Sequence, residues 1–271
     1  MWDNAAAAWD EHADFVDRHT AAATERMLAL AQIGPGAAVL DLACGPGGAG
    51  IAAVALVGDG GSVVLSDGAP QMVAIALRRA AGHSNVSTAV VDLAAIDLPE
   101  KSFDAAICRH GLMFLDDPEA AISSVARILR PGGHFAAATW DRREANPWLG
   151  IVLDSVGEQF GIEFPPPGVR GPFSLDDADG LAALFTAGGL EEVHVETVAT
   201  PMPAASLSEW WERVPGLAGP LAQALAGMEP DVRDAIRDRA LAAGAASARE
   251  TAEGVEFGCS VLVAAGRRAA D

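Results

Sequence analysis

The residues with the clearest chemical potential are a run of glycines and three acids. The segment Val39-Leu40-Asp41-Leu42-Ala43-Cys44-Gly45-Pro46-Gly47-Gly48-Ala49-Gly50 sets Gly45, Gly47 and Gly50 in a G-x-G-x-x-G pattern, after an apolar run and before a helix-forming one. Such a turn lets a ligand reach the backbone and aims amide groups from a helix N-terminus at it. Asp67 closes the next apolar run, 20 residues after Gly47. A carboxylate there can accept bonds from two ribose hydroxyls, so turn and acid together predict an adenosine-containing cofactor. Asp41 bears on which one. Beside a pyrophosphate it would be a like charge in a poorly solvated cleft, whereas beside an ammonium it would be favourable. Asp92 closes a third apolar run; it can accept from an adenine amino group or be an ordinary turn acid. Three acids at consecutive strand ends suit S-adenosylmethionine (SAM), which carries an ammonium and a sulfonium but no phosphate, better than a dinucleotide.

The chain has 6 histidines. His110 follows a strand end in Arg109-His110-Gly111, which makes it the leading candidate for a base or an acceptor-orienting group; a packing imidazole is the other reading. His12 and His19 lie on the apolar stripe of the first helical segment, where a satisfied core histidine is the commoner outcome and contact with a pocket the rarer. His194 alternates with Val193 and Val195 and reads as solvated, and His83 and His134 sit at loop edges. No HExxH spacing or carboxylate triad points to a metal. Met113, Phe114, Trp148, Phe173, Trp210, Trp211 and Met228 could line an apolar acceptor pocket, although each alone reads first as core.

The elements that must position these groups follow from periodicity. Trp9, His12, Val16, His19, Ala23, Met27 and Leu30 recur every three or four residues, one face of a helical segment that ends at Gly34-Pro35-Gly36. Strands are predicted over 37–43, 62–66, 86–91, 103–108 and 135–140, with a helix after the glycine turn, another over 70–81, and a third opened by Asp117-Pro118 and stopped at 130–133. Beyond these come a helix near 176–187, a strand near 193–198, helices over 206–246 and a last strand over 256–265. Strand–helix alternation implies right-handed crossovers and a parallel sheet with helices on both faces. The expected division is an N-terminal helical lid (1–33), a cofactor-binding core (34–141), the rest of the core (142–200 and 248–271) and a helical cap over the acceptor site (201–247).

Composition narrows the function further. With 18 Lys+Arg against 37 Asp+Glu the net charge is −19, which disfavours nucleic acid and anionic membrane surfaces as partners. Lys101 is the sole lysine and there is no tyrosine, which removes Tyr acid–base chemistry and nearly all Schiff-base chemistry. Cys44, Cys108 and Cys259 have no CxxC spacing and read as reduced, buried thiols. No apolar run reaches the length of a membrane span, and the first residues lack the basic start of a signal peptide, so a cytoplasmic protein is expected. Its oligomeric state, monomer or homodimer, is left open.

These stretches resemble the class I SAM-dependent methyltransferases, and within them the small-molecule, UbiE-like branch. The resemblance is carried by VLDLACGPGG (39–48), VVLSDGAPQM (63–72), VVDLAAIDLPEKSFDAAICRHGLMFLDDP (90–118) and ILRPGGHFAAATW (128–140), in the family's order and spacing. A looser likeness to a bacterial subgroup rests on the Gly171-Pro172-Phe173 turn and the helical cap. The resemblance implies an α/β, Rossmann-like doubly wound sheet, mostly parallel and seven-stranded, with the last strand antiparallel. It implies that Asp41 and the backbone from Ala43 through Gly45 to Gly47 hold the methionyl group, and that Asp67 holds the ribose with Gly68 and Met72 beside the adenine. Asp92 and Leu93 would border the adenine, and Arg109 and His110 would lie near the sulfonium. Trp9 would cover the methionyl group, where the family more often has Tyr. The acceptor would lie under the lid and cap, against His12, Met113, Phe114, Trp148, Phe173, Trp210 and Trp211. The expected activity is in-line methyl transfer, O- or C-directed, to an apolar or aromatic small molecule of a quinone or secondary-metabolite kind. The alternatives are a SAM-binding protein that does not methylate, such as a cyclase or regulatory module, and an NAD(P) oxidoreductase supported only by the literal glycine pattern.

Overall fold

The computed structural model describes residues 2–270. The chain starts with three short helices, α1 (Trp2–Glu11), α2 (Ala13–His19) and α3 (Ala21–Leu30), where periodicity predicted one segment. Backbone bonds such as Thr20 N to Val16 O run across the joints, so the segment bends rather than stops. The Thr20 hydroxyl also donates to the Val16 carbonyl (2.8 Å) and Thr24 to the Thr20 carbonyl (3.0 Å), the back-bonding that bends helices.

The core then alternates: β1 (Ala38–Leu42), α4 (Gly48–Val57), β2 (Ser62–Asp67), α5 (Pro70–Arg79), β3 (Val86–Val90), β4 (Phe103–Arg109), α6 (Pro118–Ile128) and β5 (Leu129–Trp140). After it come α7 (Pro147–Phe160), α8 (Ala178–Ala187), β6 (Leu190–Ala199), β7 (Met202–Ala204), α9 (Leu207–Leu217), α10 (Gly219–Ala226), α11 (Pro230–Ser247), β8 (Arg249–Thr251), β9 (Gly254–Phe257) and β10 (Ser260–Arg268). The main sheet has seven strands in the order β3-β2-β1-β4-β5-β10-β6. All neighbours are parallel except around β10, which runs antiparallel to both β5 and β6. This is the doubly wound sheet with a reversed strand that the sequence implied.

Alternation along β1 explains the two-sided core. Val39 packs with Met27, Ala53 and Ile107 on one face, while Leu40 and Leu42 pack with Ile122, Val125 and Phe185 on the other. β1 and β4 are neighbours from which the strand order runs in opposite directions, so their C-terminal ends form the crevice where ligands of open α/β sheets bind.

The final strand differs from expectation. The 256–265 run divides at Gly258-Cys259: β9 joins β7 and β8 in a separate three-stranded sheet, and only β10 enters the main sheet. Opposite that break, Pro201 has no N–H to donate. Thr200 N donates to the Cys259 carbonyl at 2.9 Å just before the ribbon leaves one sheet for the other. Helices α9 to α11 are inserted between β7 and β8, so they rise from the end of this ribbon.

Candidate functional site at the ends of the first, second and fourth strands

Residues inside β1 and β4 are largely sealed, whereas Arg109 at the end of β4 and Ala43, Gly45, His110 and Gly111 just past the strand ends are only half-buried. The backbone is strained just past both strand ends. Ala43 has φ +50° and His110 φ +62°, conformations costing about 1–3 kcal/mol each in residues with a Cβ and found where a site is shaped by its surroundings.

The glycine turn is held by close contacts. Gly50 N donates to Asp41 Oδ2 at 2.8 Å, and a Cβ at Gly50 would lie 2.2 Å from Leu65 Cδ2. Only glycine lets α4 approach β2 this closely. Asp41 is fully buried and its Oδ1 has no hydrogen-bond partner. Burial raises its carboxyl to about 7, against the opposing pull of the Arg109 guanidinium and the Gly50 amide. Asp67 is 9% exposed; Oδ2 accepts from Gly45 N (2.9 Å) and Oδ1 from Ala69 N (2.8 Å), which ties this acid to the glycine turn. Burial raises its carboxyl as well, partly offset by those amides. Beside it Gly68 is exposed and Met72 buried on α5. Asp92 lies in the exposed loop after β3 and accepts from Ala94 N at 2.9 Å, and Leu93 is buried next to it.

Asp41 has a further consequence. Its folded value lies above the ordinary 3.8, so the folded state keeps a proton that the unfolded state releases. Stability therefore falls as pH rises from about 4 to about 7 and levels off above, by an amount on the order of 4 kcal/mol from this group. Asp41→Asn should remove this decline, leaving the variant relatively more stable than the parent at pH 8 than at pH 5. Denaturant melts at the two pH values check it, and an equal difference at both would refute the burial argument.

The N-terminal helices pack over these strand ends. Trp9 Cε3 lies 3.9 Å from the position a Cβ would take on Gly45, and Trp9 Nε1 donates to the Leu217 carbonyl of α9 (3.1 Å), joining α1 to α9. Trp2 and Trp9 pack on Ala69, Met72 and Ile75, and Trp2 meets Phe114 edge-on at 5.1 Å. Asp17 of α2 reaches the start of α4, where a Cβ on Gly48 would strike its Oδ1 at 1.8 Å. Arg79 Nη2 donates to Asp17 at 2.7 Å and Arg109 Nη2 at 3.0 Å, and Arg109 Nη1 donates to Thr20 and Thr24 at 2.7 and 2.8 Å. Arg109 thus clamps α2 and α3 to the end of β4, with its guanidinium turned to these helices.

His110 stacks on Trp140 (centroids 3.9 Å, 10° between planes), and Trp140 meets Trp148 edge-on at 5.1 Å. Trp148 is buried and bonded through Nε1 to Asn146 Oδ1 (3.2 Å). Met113 is buried in the core, His12 is half-buried at the α1–α2 joint, and Trp211 is half-buried against the core. Phe173 is half-buried with the Arg143 guanidinium 6.0 Å from its ring. Trp210, expected at the acceptor, is instead a core residue: 1% exposed, packed on Phe257, and bonded through Nε1 to the Trp148 carbonyl (2.8 Å). A Trp at helical spacing satisfies a pocket or a core equally in sequence, and here the α7–α9 interface takes it. The site also recruits Phe15, Asp17 and Arg79, which no motif singled out, and Trp140, the last residue of the 128–140 stretch. The strand–Arg–His pattern at 103–110 pointed to this end of β4, but nothing local pairs it with α2.

Cys44, Cys108 and Cys259 are free and buried; burial lifts the Cys108 and Cys259 thiols to about 12, away from nucleophilic use. Among the described residues, no helix is long and apolar enough to cross a membrane, and no cluster of three metal-ligating side chains is present.

Known proteins agree with this geometry. The family model for a methyltransferase domain matches residues 39–133. A ubiquinone/menaquinone biosynthesis C-methyltransferase UbiE of Shewanella sp. (strain W3-18-1) is 38% identical over 174 residues, 59% of this chain and 68% of that protein. A protein of Mycobacterium tuberculosis is 29% identical over 62% of this chain, and the match spans 61% of its length. Among solved structures, the YcgJ protein of Bacillus subtilis covers 91% of this chain and 97% of its own at TM-score 0.60 and 18% identity. The [4+2]-cyclase SpnF covers 92% and 81% at TM-score 0.59 and 20% identity, a likeness of fold. The chain belongs to the class I SAM-dependent methyltransferase family.

Proposed function

We propose that this chain binds SAM across the ends of β1 and β2 and transfers its methyl group to an apolar or aromatic small molecule. The observation that carries the reading is Asp41: a fully buried carboxylate at the glycine turn with one oxygen unpartnered. A cationic amino group satisfies such an oxygen, whereas a pyrophosphate would add like charge to it. The NAD(P) reading therefore loses its support.

Bound SAM would supply an electrophilic methyl on a sulfonium. The chain's own part is to bind, align and exclude water. In this reading Asp41 and the backbone from Ala43 to Gly47 hold the methionyl end, and Asp67 the ribose hydroxyls. Met72, Asp92 and Leu93 border the base. Trp9 covers the turn, and Arg109 keeps α2 and α3 closed over it. His110 orients the acceptor or takes its proton, with α9 to α11 as the cap. The UbiE relatives support a quinone-like acceptor and C-methylation; O-methylation of a secondary metabolite fits the same aromatic surroundings. The expected cellular site is the cytoplasm.

Calorimetric titration with S-adenosylhomocysteine (SAH), with NADH as the control, tests the reading. Micromolar binding of SAH alone is expected. NADH binding without SAH binding would overturn it. SAH binding in a protein that rearranges a candidate substrate without consuming SAM would favour the cyclase-type alternative.

A further inference from the structure

His19 and His110 present an unusual pair. All four of their ring nitrogens are sealed from solvent and none makes a well-formed hydrogen bond, the Pro201 carbonyl being the one backbone acceptor near His19. Buried polar groups are nearly always satisfied, and an exception calls for a ligand or a function. Both residues as a whole are half-buried.

Geometry brings them to one place. His110 directly follows Arg109, whose Nη1 holds Thr20, the residue directly after His19, at 2.7 Å. Each imidazole lies flat on an aromatic ring: His110 on Trp140 at 3.9 Å and 10°, His19 on Phe15 at 5.8 Å and 12°. The positive φ of His110 turns this side chain at a cost the surroundings must hold. Both rings are kept neutral: burial lowers His19 to about 4 and His110 well below its ordinary range, with Arg109 adding to each. A neutral imidazole has one donor and one acceptor nitrogen, which matches a hydroxyl or enol oxygen, itself donor and acceptor.

A groove lies on the outer side of Phe15, and neither histidine lines it. Phe15, which stacks on His19, also lines this groove of about 560 Å³ between α2, α9 and the small sheet, bounded by Pro203, Arg213 and Val255. That volume lies within the range of small-molecule sites. Arg213 lies over the Phe15 ring at 3.6 Å and is already paired with Glu209 (2.9 Å), so a ligand entering here meets a charge-paired guanidinium above that ring.

We propose that His19 and His110 together form a hydrogen-bonding subsite for the hydroxyl or enol oxygen of a planar aromatic acceptor that enters along Phe15. This deepens the methyltransferase reading and rests on it for the word acceptor. It makes His19 a specificity residue contributed by the lid, and it makes a bare apolar ring a poor ligand.

The test uses the full chain, with and without SAH, and two probes of one shape: 2-naphthol and 2-methoxynaphthalene. Calorimetry should show 2-naphthol binding about tenfold tighter, the effect of one to two net hydrogen bonds. His110→Phe and His19→Phe should each bring the ratio to within about twofold, and His19→Phe should leave SAH affinity unchanged. Both variants should fold, since each replaces an unpaired buried imidazole by an apolar ring; near-ultraviolet circular dichroism checks this. His110→Asn and His19→Asn should restore part of the preference, which a purely structural role would not. Equal binding of the two probes by the parent, or an undiminished preference in both Phe variants, overturns the proposal. Failure of SAH to bind the parent would overturn the methyltransferase reading instead, and the probe comparison without SAH would still decide the subsite.

Discussion

Replacing Arg109 with methionine should cost the fold about 3 kcal/mol at neutral pH, the largest effect expected of any single change at the site. Its side chain is 9% exposed and its guanidinium serves three partners, Asp17, Thr20 and Thr24. It is also the strongest favourable charge acting on the fully buried Asp41. Methionine fills much of the same volume but leaves two threonine hydroxyls without their donor and Asp17 with Arg79 alone. Breaking a buried pair from one side costs about 3–5 kcal/mol, and the lower end applies because Asp17 is 29% exposed. The sign with pH follows from Asp41. Without Arg109 its carboxyl rises above 7, so the penalty for ionising it grows at pH 8 and is absent at pH 5, where it is already protonated in the fold. Urea melts at both pH values measure this. Adding Asp17→Asn should return about 1 kcal/mol or more, because the two sites are in contact. A loss below about 1 kcal/mol in the single variant would mean that the lid is held by apolar packing alone.

The second large effect concerns ligand rather than fold. Asp67→Ala should weaken SAH binding about 100-fold, equivalent to about 2–3 kcal/mol for bonds to a charged acceptor in a covered site. Both carboxylate oxygens already hold backbone amides of Gly45 and Ala69, so the acid is oriented before any ligand arrives, and each oxygen keeps a lone pair for a hydroxyl. Asp92→Ala should cost less than about tenfold, because that acid stands in an exposed loop where water competes. Titration calorimetry of the two variants against the parent reads both. Equal losses at the two positions, or none at Asp67, would remove Asp67 from the ribose role. Because the Asp67 amide bonds also hold the turn, a melt of the same variant separates loss of ligand from loss of fold.

Much of the core was legible because its signals are local. The strand–helix alternation follows from apolar runs bounded by Gly and Pro, and Asp117 caps α6 through Ala120 N as its place before a proline suggested. The Asp41, Gly45 to Gly50 and Asp67 constellation is also local, since a strand, a turn and a helix in sequence can hardly be arranged otherwise. Legibility failed where a side chain had two physically equal destinations. Trp210 and Trp148 satisfy a core as well as a pocket, and the α7–α9 interface took both. The run over 256–265 has strand character throughout, yet Pro201 on the paired segment and the crossing at Gly258-Cys259 divide it between two sheets. The bend of the first helical segment rests on Thr20 and Thr24 finding carbonyls one turn back, a choice that also sets where His19 points.

The sequence by itself determined the class of fold and the kind of cofactor, because both depend on groups that the chain places side by side through short-range geometry. Tertiary structure alone decided what covers the glycine turn and which helices meet the ends of β1 and β4. Asp17 meets Gly48, and Arg109 meets Thr20 and Thr24, across separations from 31 to 89 residues. Those encounters depend on how α2 packs against the ends of β1 and β4. That packing is a sum of weak apolar contacts from many elements, with no local residue pattern to announce it.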